Sequence, residues 1–302
     1  MSELLPAASV APTAAPTPSP AGRALDAGQP PLRVMSFNVR FGTADDGPDR
    51  WEYRRDLLAR TILAFGPDLL GVQEALDFQC DEIAERLGKA YAFHGAGRED
   101  GRRRGEFTGI YYLARRFERL AAGNFWLSQT PEKVGSVGWD AELPRLASWV
   151  KLRDLAARHD VAANSVLFLN THWDHLGNRA RRESARLIRH KVHQLQPEGS
   201  VVIVGDFNAR EDDEEYAELL RAADEDGHKY VDAYRELHPD RHAAEASFHA
   251  FKGGREGTRI DWILHSTDLK AVEALIDHSH EDGRYPSDHY PITAVLTKHD
   301  ES

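Results

Sequence analysis

Two hydrophobic periods alternate along the chain. Residues 32–41 read as a strand, and 51–65 carries apolar residues at helical spacing until Gly66-Pro67 stops it. A short buried strand is expected over 69–74 and a helix over 76–87, ended by Gly88. Strands rich in aromatic and β-branched residues follow over 107–113, around 123–127, and over 147–152 and 166–171. Residues 179–195 form an amphipathic helix with the stripe Ala180, Leu187, Ile188, Val192 and Leu195. A continuous apolar strand over 201–205, a helix over 214–223, and strands over 260–265, 269–276 and 292–296 complete the set. There is no internal repeat. Such alternation points to an α/β protein.

The first 31 residues differ from the rest: 8 are Ala and 7 are Pro. That composition cannot bury enough apolar surface to offset its ordering entropy, so residues 1–31 are expected to be a disordered tail. Glu3 stands where a secretory signal has basic residues, and prolines interrupt any apolar segment. From 32 to 302 no second linker divides the chain, and one domain of that length is expected. With 41% hydrophobic and 29% charged residues and no run near the roughly 20 apolar residues of a spanning helix, membrane insertion is excluded. A net charge of −11 argues against coating nucleic acid. The single cysteine, Cys80, cannot form an internal disulfide, which fits a cytoplasmic monomer.

Polar residues collect where apolar strands end: Phe37-Asn38, Val72-Gln73-Glu74, Leu169-Asn170-Thr171-His172, Val204-Gly205-Asp206-Phe207-Asn208 and Arg259-Ile260-Asp261, with Ser287-Asp288-His289 ahead of the last strand. Each has a plain structural explanation by itself. Asn38 and the segment around Asp206 suit turns, and Glu74 suits the neighbourhood of a helix cap. Asp261, inside an apolar stretch, requires a partner. Six such coincidences at strand ends, where loops converge on a rigid sheet, point instead to one site.

In order, these motifs resemble the endonuclease/exonuclease/phosphatase superfamily of metal-dependent, DNase I-like phosphoesterases, from about residue 32 to 297. Stretches including Gly105-Glu106-Phe107, Gly138-Trp139-Asp140 and Pro144-Arg145 resemble a bacterial branch of unassigned substrate. The resemblance implies a four-layer α/β/β/α sandwich of two mixed sheets.

It also implies roles. Glu74 is the principal metal ligand, with Asn38 beside it and Asp288 opposite; Asp206 orients or deprotonates the attacking water. Asn208 and Arg145 bind phosphate, His289 is held by Asp261, and His172 hydrogen-bonds the phosphate. Oxygen ligands suit Mg²⁺ or Mn²⁺. The number of metals, and whether Asp206 or His289 is the base, stay open.

His172-Trp173-Asp174-His175 partly matches the zinc signature of metallo-β-lactamase-type hydrolases, but Asn170 stands where another histidine is required. Two basic stretches, Arg98 to Arg104 and Arg179 to Lys191, run against the acidity, while five acids from Glu211 to Glu215 follow the Asp206 motif. That acidic rim favours a small or short phosphoester over duplex DNA. A nuclease with the same chemistry and a non-catalytic binding module are the alternatives. Trp126, Trp139, Trp173 and Phe107 are candidates for a stacking wall or for core.

Overall fold

The computed structural model describes residues 30–157, 164–221 and 228–299. The expected tail falls outside them except for Pro30 and Pro31, whose carbonyls accept hydrogen bonds from Arg116. Two six-stranded mixed sheets stack face to face. One has β1 (Leu32–Asn38) at its centre, parallel to β2 (Leu69–Ala75) and antiparallel to β12 (Ile292–Lys298). It continues through β4 (Phe107–Leu113) to β3 (Tyr91–His94) on one side and to β11 (Leu269–Ile276) on the other. The second has β7 (Ser165–His172) parallel to β8 (Ser200–Asp206) at its centre. It continues through β6 (Leu146–Asp154) to β5 (Phe117–Trp126), and through β10 (Asp261–Ser266) to β9 (Tyr230–Asp232).

Period-two alternation divides the apolar residues among three seams. Val34, Leu69, Phe168, Val202, Val204 and Ile263 fill the space between the sheets. Met35, Phe37, Leu70 and Val72 face α1 (Trp51–Phe65) and α2 (Asp77–Leu87). Leu167, Leu169, Val201 and Ile203 face α3 (Asn178–Leu195) and α4 (Glu214–Leu220). The expected four-layer α/β/β/α architecture is what forms, and no described helix is long and apolar enough to cross a membrane. The last residues of the helix expected over 214–223 lie outside the described set. Three elements were not expected: β3 and β9, of four and three residues, and α5 (Ala233–Leu237), of five. All are shorter than the window in which a period can be recognised.

The inter-sheet face becomes polar at one end. On β1 the series Leu32, Val34 continues as Ser36 and Asn38; on β7, Val166 and Phe168 continue as Asn170 and His172. Gln73 donates to the Asn170 amide oxygen at 2.6 Å, and Asn170 donates to the carbonyls of Val72 and Gly109, both at 2.8 Å. This pin ties the sheets together beneath the polar end. Gly71 lets them approach: a Cβ there would stand 2.5 Å from Val204 Cγ2.

Candidate active site

A cavity of about 520 Å³ opens over these strand ends, and Glu74, Arg145, His172, Asp206, Asn208, Asp288 and His289 all line it. Asn38 and Asp261 stand directly behind. Asn38 is fully buried and donates to Glu74 Oε1 at 3.0 Å and Asp206 Oδ2 at 2.9 Å. Asp261 accepts from His289 Nδ1 at 2.9 Å. The nine residues singled out in the sequence are thus brought together.

Local backbone accounts for the aim of two of them. By alternation Glu74 belongs with Leu70 and Val72 on the face against the helices. Instead the β2–β4 register slips between Val72 and Ala75, and Glu74 sits in this bulge at φ 64°. Its carboxylate then accepts from Asn38 and from the Phe41 amide at 3.2 Å. Asn208 is also left-handed, at φ 47°, and its amide caps Asp206 Oδ1 at 3.0 Å. Arg40, Ala250 and Phe251 on the cavity wall share this conformation, so backbone strain concentrates here.

Electrostatics separates the titratable groups. Burial pushes Asp206 up to about 7, reinforced by the charge of Asp261 and opposed by His289. His289 goes the other way from a simple buried histidine. Desolvation works to lower it, yet Asp261, Asp206 and Asp288 together hold it well above the usual histidine range. His172 is held well below that range, by burial first and then by Arg145 and Arg98. A neutral His172 accepts at Nε2 from the Asn208 amide, 3.1 Å away. Burial raises Asp288 as well, with His289 opposing and Glu74 reinforcing. Arg145 is buried beside Glu106, Asp174 and His175, and its Nε and Nη1 make no hydrogen bond among the described residues.

Ligand-grade atoms of Glu74, His172 and Asp206 lie within 4.8 Å of one another, as do those of Asp206, Asp261 and His289. Asp288 joins neither group; it faces Arg40 at 3.8 Å from the same cavity. The zinc reading fails on geometry. Asp174 turns its carboxylate to the amides of Leu176 and Gly177, and neither it nor His175 stands with His172 in a ligand group.

One expectation needs correction. The acidic run is not a repulsive rim. Glu211 is buried against Arg235 and Arg259, Asp212 pairs with Arg241, Asp213 caps Arg210 N, and Glu214 and Glu215 face Arg182 and Arg181. The basic stretches are likewise matched: Arg103 binds Asp77 and Asp81, Arg104 binds Glu99, and Arg186 and Lys191 bind Glu218 and Glu132. Of the four aromatic candidates, Trp126, Trp173 and Phe107 are buried in the apolar seams or beside them, which is the core alternative, while Trp139 is half-buried and does not line the cavity. Phe41, Phe248 and Phe251 line the cavity in their place.

Other residues were missed. Glu106 reaches the cavity from the start of β4, holds Arg98 at 2.7 Å, and is raised by burial, with Arg98 opposing. Arg54 of α1 donates to the carbonyls of Val39, Arg40 and Pro286, fixing the loops that carry Asn38 and Asp288. Ser247 is fully buried; its Oγ accepts from the amides of Ile260 at 2.9 Å and Asp261 at 3.2 Å, and its carbonyl accepts from Tyr290 N at 2.7 Å. It joins the segments of Asp261 and His289.

Stacked mixed sheets with carboxylates, amides and a histidine–aspartate pair at their strand ends make this a DNase I-like hydrolase fold. The chain belongs to the Endonuclease/Exonuclease/phosphatase family, whose profile matches residues 35–289. Members of this family hydrolyse phosphoester bonds, generally with divalent metals. An endonuclease/exonuclease/phosphatase family protein from Bacteroides thetaiotaomicron superposes with a TM-score of 0.79 and is 29% identical, covering 90% of this chain and 96% of that one. A mannosyl-6-phosphatase of the same organism gives 0.74 and 29%, covering 88% and 99%. Rat nocturnin is 24% identical over 296 residues, 87% of this chain; the match spans 63% of nocturnin's length.

Proposed function

We propose that the chain is a divalent-metal-dependent phosphoesterase that hydrolyses a small or short phosphoester by attack of an activated water. The observation that carries this reading is the convergence of Glu74, Asp206, Asp288, His289, Asn208 and Arg145 on one 520 Å³ cavity, with Asp261 bonded to His289 behind it; within it Asp206 and His289 are both raised. A carboxylate near 7 is poised to take a proton from water, and a histidine held charged is poised to donate. This favours Asp206 over His289 as the base. The carboxylates of Glu74 and Asp288 line the cavity and are hard oxygen donors that fit Mg²⁺ or Mn²⁺, with Asn38 holding Glu74 in place through its NH2. Such an ion supplies charge neutralisation on the phosphoryl oxygens.

The chain's own groups do the rest. Asp206 orients the water and accepts its proton. His289, oriented through Nδ1 by Asp261, donates from Nε2 to the phosphate. Arg145 offers its two unbonded guanidinium nitrogens, and Asn208, held by the neutral His172, stands beside the phosphate position. The Asp206–Asp261–His289 group is closed by the histidine–aspartate bond and serves as this donor rather than as a second ion site. A cavity of about 520 Å³ and matched surface charges support a compact substrate, as does likeness to a mannosyl-6-phosphatase.

Turnover of phosphomonoesters, phosphodiesters and single- and double-stranded nucleic acids with Mg²⁺ or Mn²⁺ tests the reading. Hydrolysis of a small ester, abolished by excess EDTA and restored by the metal, is expected. Full activity in EDTA with no bound metal would overturn the metal requirement.

A further inference from the structure

A second cavity of about 520 Å³ adjoins the first, sharing Asn208, Phe248 and Ile260 as its wall. Phe248 stands between them, 47% exposed, its ring 5.0 Å from that of His289. An ester whose phosphate reaches His289 has this ring beside it as the way into the second cavity.

The far cavity has a mixed lining. Arg210 and Glu256 are exposed, and neither side chain makes a hydrogen bond or ion pair among the described residues. Arg181 forms part of the wall at 8% exposure. It donates to the Asp174 carbonyl and to Asn178, while its Nε makes no hydrogen bond and stands 3.6 Å from Glu215. Asn178 and Thr258 add neutral donors and acceptors. With Arg181 and Arg210 matched by Asp213, Glu215 and Glu256, the walls carry no net positive charge to hold a second phosphate or a polyanion. An acyl chain is opposed by the density of polar groups. A nucleobase has only one exposed ring to stack on. A sugar suits all of it: carboxylates accept from hydroxyls, guanidinium and amide groups donate to them, and an aromatic face covers the ring's C–H surface.

We propose that this second cavity binds a polyhydroxylated group, so that the ester hydrolysed is a sugar phosphate; this rests on the phosphoesterase reading above. Phosphate lies under His289 and Arg145, the sugar ring lies on Phe248, and its distal hydroxyls meet Arg210 and Glu256.

Binding and turnover test this separately. Glucose, mannose and galactose 6-phosphates and inorganic phosphate are titrated calorimetrically into the wild-type chain and into the double variant Arg210→Ala/Glu256→Ala. At least one hexose phosphate is expected to bind about tenfold more tightly than inorganic phosphate to the wild type, and no more tightly to the variant. In Mg²⁺, kcat/KM for that hexose phosphate is expected to fall about tenfold in the variant while p-nitrophenyl phosphate turnover is unchanged. Wild-type binding of all three sugars no tighter than phosphate overturns the proposal, as does equal loss on both esters. A hexose phosphate that binds selectively yet is not hydrolysed with Mg²⁺ or Mn²⁺ supports the sugar site and overturns the hydrolase reading instead.

Discussion

At the scale of single residues, the site depends on keeping Asp206 and His289 in opposite protonation states. Asp206 is pushed up to about 7 by burial and by Asp261, so it loses its proton, and becomes able to take one from water, only as pH rises through that region. A nearby cation can only draw this value down. The acid limb of kcat/KM is therefore expected at or below about pH 7. His289 must keep its proton to donate, and three carboxylates hold it charged well above the usual range, so the alkaline limb lies above neutrality. Asp261→Asn removes the largest of those raising charges and is expected to bring the alkaline limb toward neutrality. A pH–rate profile with that limb unmoved would show that His289 is not the titrating donor. His289→Ala and Asp206→Asn are each expected to lower kcat by about 10²–10⁴ with an unchanged circular dichroism spectrum. Parental turnover in either variant would mean that its role is misassigned.

Among the elements, strand ends were readable and the devices that aim them were not. Asn38, Asp206, Asp261 and His172 follow from continuing each strand's alternation by one or two residues beyond its apolar run. Glu74 does not: alternation puts it against the helices, and only the one-residue bulge opposite β4 returns it to the cleft. Register against a partner strand is invisible in a single strand's sequence. The segment around Ser247 is irregular, so no period marks it, yet it ties the start of β10 to the residues ahead of β12. Ser247→Ala removes the acceptor for the buried Asp261 amide and the part-buried Ile260 amide and is expected to cost about 1–3 kcal/mol of stability. It is also expected to reduce kcat about tenfold with KM nearly constant, because the Asp261–His289 geometry loosens while substrate contacts stay. Ser247→Thr keeps an Oγ and is expected to restore kcat. Thermal melts and steady-state kinetics on both variants check this; an alanine variant that loses stability alone would make Ser247 purely structural.

Across the whole molecule, net charge is a poor guide to the surface a substrate meets. The sum of −11 and the five-acid run suggested a repulsive rim. The partners of those acids, Arg181, Arg182, Arg235, Arg241 and Arg259, lie up to 48 residues away in the chain, so the neutralisation becomes legible only once the layers are stacked. The same stacking pairs Arg103, Arg104, Arg186 and Lys191 of the two basic stretches with carboxylates. What favours a compact substrate is accordingly not repulsion but the size of the cavity over the strand ends, about 520 Å³. Each phosphate neutralised by a protein contributes close to one unit of slope in log affinity against log salt, so a track of 6–10 contacts loses roughly 10³–10⁵ in affinity between 50 and 200 mM salt. A site engaging one phosphate through Arg145 and His289 has a slope near one. Turnover of a small ester at subsaturating concentration is therefore expected to fall less than about fivefold over that range. Duplex DNA is expected to bind weakly even at 50 mM. Fluorescence anisotropy with labelled duplex and initial rates across the same salt series measure both, and tight duplex binding with a steep salt slope would return the nuclease reading to first place.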